Sequence, residues 1–327
     1  MLGNIKKFKQ LVALSLILAT LLLSSLSAYA QQGNQPGSGL SISPTESEFT
    51  VKPGAADILN INLKNITTGD IVAKPTINDF ESDNVTGTPK LITDLNKHSP
   101  NSIRKFVSGL DDVPLAKGEQ KKVTVTLQVP AKYTPGAYFG VIRYKAVPVG
   151  VNAPKEGQLT LSASVGTIVL VTVPGNLHQQ VQVTAVHIYR GAHEGSLFIS
   201  KPTQAGVELK NLGNDFAKPF GTVTVQKMFG KQVYSYQLNN SQPRSNVLPG
   251  TSRIFKDPIK NVSSPGRYTV TANVTYGNGN DVLVMKKDFW YIPAWLAIIV
   301  LLIIFALIAG VLRAWRRYRR GARRFKR

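Results

Sequence analysis

The chain contains no cysteine. That absence excludes a disulfide framework, a zinc ribbon and a thiol nucleophile together. An exported protein without disulfides has to stand on hydrophobic cores of adequate size, and 327 residues suffice for two ordinary domains beside targeting segments. Lack of staples favours a bacterial envelope over a eukaryotic cell surface, where ectodomains are usually cross-linked. Histidine is scarce as well. His98, His178, His187 and His193 stand in no metal-ligand spacing and are expected at the surface or at strand edges. There is no Gly-x-Ser-x-Gly elbow and no phosphate-cradling glycine loop, since Gly277-Asn278-Gly279-Asn280 reads as a hairpin turn. Asp79-x-Glu81-x-Asp83 offers hard oxygens at alternate positions, but it lacks the glycine and terminal glutamate of a calcium loop and reads as solvated. No enzyme activity, cofactor or metal is therefore expected.

Negative charge is sparse, with 18 acids against 39 lysines and arginines, a net charge of +21. Spread evenly, this would suggest a nucleic-acid binder, but it is concentrated at the ends. The stretch 313–327 holds eight arginines and one lysine without an acid, and Lys6, Lys7 and Lys9 open the chain. The remainder is only mildly basic, which suits an anionic wall or membrane environment, and no nucleic-acid partner is expected.

The two ends also carry the apolar runs. Lys6, Lys7 and Lys9 precede Leu11–Leu23, then Ser-rich sequence and Ala28-Tyr29-Ala30. This is the order of a signal peptide, with Ala28 and Ala30 at the −3 and −1 positions of cleavage. Residues 292–312 are all apolar, aromatic, Gly or Pro. At about 1.5 Å per residue they span the hydrocarbon core of a bilayer. Trp290, Trp295 and Trp315 mark the ends as interfacial anchors, and Arg313, Arg316 and Arg317 follow as the positive-inside signal. The expected topology is a single-pass plasma-membrane protein with its N-terminal domains outside. Its basic tail, 313–327, lies in the cytoplasm against anionic lipid headgroups.

Between these ends, 31–39 is a polar Gly/Pro linker, and from Leu40 the pattern alternates with period two. Leu59, Ile61 and Leu63 alternate with Asn60 and Asn62; Val123, Val125, Leu127 and Val129 with Thr124, Thr126 and Gln128; Tyr268, Val270, Ala272, Val274 and Tyr276 with Thr269, Thr271, Asn273 and Thr275. These are half-buried strands, giving an all-β ectodomain. The pattern also repeats. Leu63-Lys64-Asn65, Asp70 and Ala73-Lys74-Pro75 return as Leu209-Lys210-Asn211, Asp215 and Ala217-Lys218-Pro219. Leu115 to Gly118 and Pro135-Gly136-x-Tyr138 return as Leu248-Pro249-Gly250 and Pro265-Gly266-x-Tyr268. Two Ig-like β-sandwich domains in tandem are expected, at 40–175 and 176–290. In the first, the stretches before Val149 and from Leu159 to Val173 are expected to form a long projecting hairpin for partner contact.

Several of these residues carry a resemblance. Ile42-Ser43-Pro44, Val51-Lys52-Pro53-Gly54, a strand ending at Asn65, Pro135-Gly136-Ala137-Tyr138-Phe139-Gly140-Val141-Ile142 and Gly166–Gly175 (GTIVLVTVPG) come in sequence before a second sandwich, an apolar helix and a basic tail. This order resembles the WxL-interacting proteins of bacterial surfaces. The resemblance implies a first Ig-like domain that binds peptidoglycan and a second that docks secreted WxL-domain proteins; it carries over no ligand-contacting residue. The expected function is thus a non-enzymatic tether holding cell-wall polymer, a secreted surface protein, or both near the membrane. The alternative is a sensor or accessory subunit of an envelope complex acting through the basic tail.

Overall fold

The computed structural model describes residues 39–94, 96–149, 164–279 and 281–324. The expected signal peptide with Ala28 and Ala30, and all but the last residue of the expected linker, lie outside them.

The first sandwich comprises β1 (Leu40–Ser43), β2 (Glu46–Thr50), β3 (Ala56–Asn65), β4 (Ile71–Asn78), β5 (Phe80–Ser82), β6 (Pro89–Leu91), β7 (Val107–Ser108), β8 (Val113–Leu115), β9 (Gln120–Gln128), β10 (Gly136–Pro148) and β11 (Ser164–Val173). The second comprises β12 (Val181–Arg190), β13 (His193–Glu194), β14 (Leu197–Phe198), β15 (Gln204–Asn211), β16 (Phe220–Lys227), β17 (Lys231–Leu238), β18 (Ser252–Pro258), β19 (Gly266–Thr275) and β20 (Val282–Tyr291). A helix, α1 (Ala294–Arg324), follows.

Each sandwich packs a four-stranded sheet on a five-stranded one. The orders are β1-β3-β9-β7 on β2-β11-β10-β4-β8, then β13-β12-β15-β18 on β14-β20-β19-β16-β17; β5 and β6 form a separate ribbon. In both, the entering segment is split between sheets. β1 pairs antiparallel with β3 while β2 runs parallel to β11, and β12 pairs with β15 while β14 runs parallel to β20. The chain is therefore a duplicated Ig-like sandwich.

The alternation seen in the sequence is the alternation of burial. Leu59, Ile61 and Leu63 face Val125, Leu127, Ile142, Tyr144, Val169 and Val171 in the first core, and Asn60 and Asn62 point to solvent. Val207, Leu209, Val223, Val225, Tyr268, Val270, Ala272 and Val274 build the second. Each fully buried side chain of this kind contributes about 1.5–3 kcal/mol, so these rows hold each pair of sheets together.

The repeat is physical. Asn65 is fully buried at the end of β3, where its Nδ2 donates to the carbonyls of Gly69 (2.8 Å), Leu115 (3.2 Å) and Ala116 (3.0 Å) and its Oδ1 accepts from Thr67 N (2.9 Å). Asn211 ends β15 in the same way, donating to Asp215 O (2.8 Å) and Val247 O (2.9 Å) and accepting from Gly213 N (2.9 Å). Tyr138 and Tyr268 each donate a phenol proton to the carbonyl four residues earlier, at Thr134 (2.9 Å) and Ser264 (2.6 Å). One pairing is displaced. Val247, not Leu248, takes the place of Leu115, because Leu248 turns outward to another contact.

Two expectations change in detail. The strands before Val149 and up to Val173 do pair, from Gly136↔Val173 to Lys145↔Ser164, but β4 flanks β10 on its other edge along Val141–Pro148. The pair is thus a central part of its sheet and not a free projection; its connection lies outside the described residues. The apolar helix starts at Ala294, two residues after the start of the apolar run. Ile292 still donates its amide to Phe198 O (2.8 Å), as a continuation of the sheet.

Candidate functional site

The sandwiches meet along an apolar seam. On β10 the odd positions Phe139 and Val141 face away from the first core, as do Ile168 and Leu170 on β11; they are covered by Phe80 and Leu91 of the ribbon and by Phe216 and Leu248 of the second sandwich. Phe139 stands 4.9 Å from Phe80 and 6.3 Å from Phe216, centroid to centroid. Covering both faces explains why β10 reads as an unbroken apolar run, Ala137-Tyr138-Phe139-Gly140-Val141-Ile142.

Polar bridges frame the seam. Glu48 accepts from Lys218 Nζ and from Asn246 Nδ2 (2.9 Å), and Thr172 Oγ1 donates to Asp215 (3.3 Å). Backbone joins backbone where Ala137 N donates to Asn214 O (2.9 Å) and Ile254 N to Val85 O (2.6 Å), while Ser252 N donates to Asn84 Oδ1 (3.2 Å). Gly213 is required by close approach, since a Cβ there would meet His178 O at 2.3 Å. The joint is thereby fixed at several separated points.

The loop after β5 is the part that crosses over. Asp83 draws it into shape by accepting the amides of Val85 (3.0 Å), Thr86 (2.8 Å) and Gly87 (2.8 Å) and the Thr86 hydroxyl. The Thr86 hydroxyl first, with the backbone amides, holds the Asp83 carboxyl down at about 2. Gly87, at φ +75°, lets the Arg253 side chain lie against the loop, where a Cβ would come within 2.7 Å of it. Because the folded value lies below the ordinary carboxylate value of about 3.9, this stabilisation is complete above pH 4 and is lost as pH falls toward 2. Hydrogen exchange at residues 84–87, corrected for intrinsic rates, is expected to show protection falling between pH 4 and 2. Asp83→Ala removes that pH step; an unchanged step in the variant would refute the assignment.

A cleft of about 300 Å³ lies beside the seam, lined among others by Glu46, Thr86, Arg244, Asn246 and Arg253. Burial, then the charge of Glu48, raises the Glu46 carboxyl, and burial lowers Arg253. The Thr86 hydroxyl that lines the cleft is engaged with the Asp83 carboxylate, and among the described residues no group of three or more His, Cys, Asp or Glu could hold a metal ion. The three acids before Asn84 have separate tasks. Asp79 accepts from Ser99 N and Ser102 Oγ, Glu81 pairs with Lys97, and Asp83 orders the loop.

His187 was legible only as a strand residue. It sits between two carboxylates, Nδ1 2.7 Å from Glu194 and Nε2 3.1 Å from Glu208. The hydrogen bond from His187 holds the Glu194 carboxyl below its usual range. Glu194 and Glu208 are brought together by pairing of β13 and β15 with β12, which no local spacing announces.

The predicted anchor residues fall at the far end of the second sandwich. Trp290 lies on β20 opposite Leu197 and Arg267, half exposed, and its amide donates to Ser196 O (2.7 Å). Trp295 is the second residue of α1. Trp315 closes the 22-residue stretch Ala294–Trp315, which is long and apolar enough to cross a membrane and, among its described side chains, has none buried against the sandwiches. Arg313 is exposed near its end, and Arg316 and Arg317 continue the same helix.

No protein-family model matches the chain, and no curated protein matches it significantly. Among solved structures it is similar to the class 5 fimbriae chaperone CfaA (14% identity, 78% of this chain and 100% of that one, TM-score 0.39). It is also similar to the E. coli chaperone DraB (13%, 77% and 96%, TM-score 0.32) and to the CsuC–CsuE chaperone–tip adhesion subunit complex of Acinetobacter baumannii (11%, 76% and 97%, TM-score 0.34). Likeness at this level carries no argument about function, and the fold stands on the sheet topology above.

Proposed function

We propose that this chain is a non-enzymatic membrane-anchored adaptor of the cell envelope, holding wall polymer or a secreted protein at a set height above the bilayer. The observation that carries the reading is mechanical. Two sandwiches are locked by one seam into a single body, and that body ends, within three residues of Tyr291, in an exposed apolar helix followed by cations. A membrane anchor raises the effective concentration of any docking surface on that body. Sandwich edges and loops recognise partners by backbone pairing and side-chain pockets, without catalytic groups. The arginines after the apolar stretch support external sandwiches and an internal tail. The resemblance to WxL-interacting proteins points to the same two classes of ligand.

The test uses the full chain in lipid vesicles. Sedimentation with purified peptidoglycan sacculi and capture of proteins from the secreted fraction are expected to give saturable binding by at least one route. Binding to neither overturns the adaptor reading. Protease treatment of intact cells is expected to remove residues 40–290; their survival would reverse the orientation.

A further inference from the structure

We infer that the end of the second sandwich nearest α1 is itself a membrane-contacting face, with the Met228–Phe229 hairpin tip seated in the headgroup region of an anionic bilayer. The inference rests on the anchored reading above.

Register places the tip. On β19, Gly266 pairs with Tyr291 of β20, three residues before α1 starts at Ala294, and Tyr268 pairs with Lys227 of β16. The β16–β17 connection, Met228–Gly230, therefore stands at the sheet end from which the chain leaves for the helix. Leu197 and Ile199 stand at the same end, since β14 runs beside Trp290 and Tyr291. Phe229 is 96% exposed, Ile199 64% and Leu197 61%, with Met228 and Trp290 about half exposed. The opposite end of the sandwich is taken up by the first domain, through Asn214, Asp215 and Phe216.

The fold gains nothing from Phe229 where it stands. Its backbone is left-handed (φ 70°, ψ 20°), a conformation that a glycine or asparagine would adopt at less cost, and its ring touches no core. An aromatic held out on a strained turn is explained by an occupant outside the protein. Charge identifies the occupant. The stretches 197–201, 227–231 and 259–264 hold Lys201, Lys227, Lys231 and Lys260 and no acid, while Glu194 and Asp288 near the same end are paired with His187 and Arg267. Apolar tips ringed by lysines match an interface whose headgroups are anionic and whose acyl boundary lies a few ångströms deeper. That interface is continuous with the belt that Trp290 and Trp295 mark. Two contacts, helix and tip, would fix the tilt of the second sandwich as well as its height.

Because the chain has no native cysteine, Phe229→Cys provides a unique site for an environment-sensitive NBD label. The labelled full chain is reconstituted in phosphatidylglycerol/phosphatidylcholine vesicles with and without shallow spin-labelled lipid. Asn278→Cys, in the turn at the other end of the sandwich, is the control. The label at 229 is expected to shift to the blue and to be quenched several-fold more than the label at 278. In pure phosphatidylcholine the difference is expected to shrink. Vesicle flotation reads the anchor independently. A chain that floats while its 229 label emits as in water, quenched no more than 278, overturns this inference and leaves the anchor standing. A chain that does not float overturns both.

Discussion

Asn65→Ala is expected to lower the stability of the first sandwich by about 3 kcal/mol, against less than about 0.5 kcal/mol for a surface Asn such as Asn60. The side chain is fully buried, yet it leaves no polar atom idle: two protons serve the carbonyls of Gly69, Leu115 and Ala116, and the oxygen serves the amide and hydroxyl of Thr67. Truncation strands a buried acceptor at Leu115 and loosens the turn into β4, each unmet group costing about 1–3 kcal/mol. Asn65→Asp is expected to be worse. A carboxylate would face three carbonyl oxygens, and an uncompensated buried charge costs about 3–5 kcal/mol. Urea unfolding of the full chain, in which the seam couples the two halves, reads the loss as a fall in the midpoint of the common transition. Asn211→Ala should lower that midpoint by a similar amount. Equal, small losses for Asn65→Ala and Asn60→Ala would refute the role assigned to the pair.

The second large effect is expected at the seam. Phe139→Ala should cost about 3 kcal/mol, the lower end for a buried aromatic, because a cavity at a joint collapses more easily than one in a core. Its specific signature is uncoupling. With Phe139 gone, Phe80 and Phe216 lose their common partner, and Val141, Ile168, Leu170 and Leu248 are left with the polar frame around Glu48 and the loop 84–87 to hold the joint. Calorimetry is expected to resolve two transitions in the variant where the parent gives one, and small-angle scattering should report a broader distribution of lengths. Phe216→Ala, which removes only the second sandwich's share, is expected to uncouple the halves at lower cost. Val270→Ala, deep in the second core, is expected to destabilise without uncoupling. If Val270→Ala separates the transitions as well, the seam is not what joins the halves.

Much of the architecture was readable from residue order because it rests on local rules. Period-two alternation named the strands around Leu59–Leu63, Val123–Val129 and Tyr268–Tyr276, and the apolar faces it assigned are turned inward, although Thr271 on the opposite face is buried too. The doubled Leu-Lys-Asn and Pro-Gly-x-Tyr motifs named the repeat, since a buried Asn at a strand end and a tyrosine hydroxyl turned back four residues are local hydrogen-bonding devices. What escaped was everything set by packing between distant segments. Nothing in the residue order marked Phe139 and Val141 as seam residues, because alternation is silent when both faces are covered. Leu248 was matched to Leu115 by letter although Val247 holds that place, and only the Asn211 hydrogen bond reveals the one-residue offset. The Glu194–His187–Glu208 contact and the position of Phe229 at the sheet end from which the chain leaves for α1 both depend on strand register, which no short motif encodes.

The double covering of β10 also has a consequence for biosynthesis. Residues 40–173 precede the segment from Asp215 to Leu248, so a first sandwich that is exported and folded ahead of the second carries Phe139, Val141, Ile168 and Leu170 without their cover from it. Until Phe216 and Leu248 arrive, that patch is an adhesive surface on an otherwise folded body, open to self-association. Truncations ending near Gly175 are therefore expected to aggregate or to recruit a holding factor, while the full chain stays dispersed in detergent.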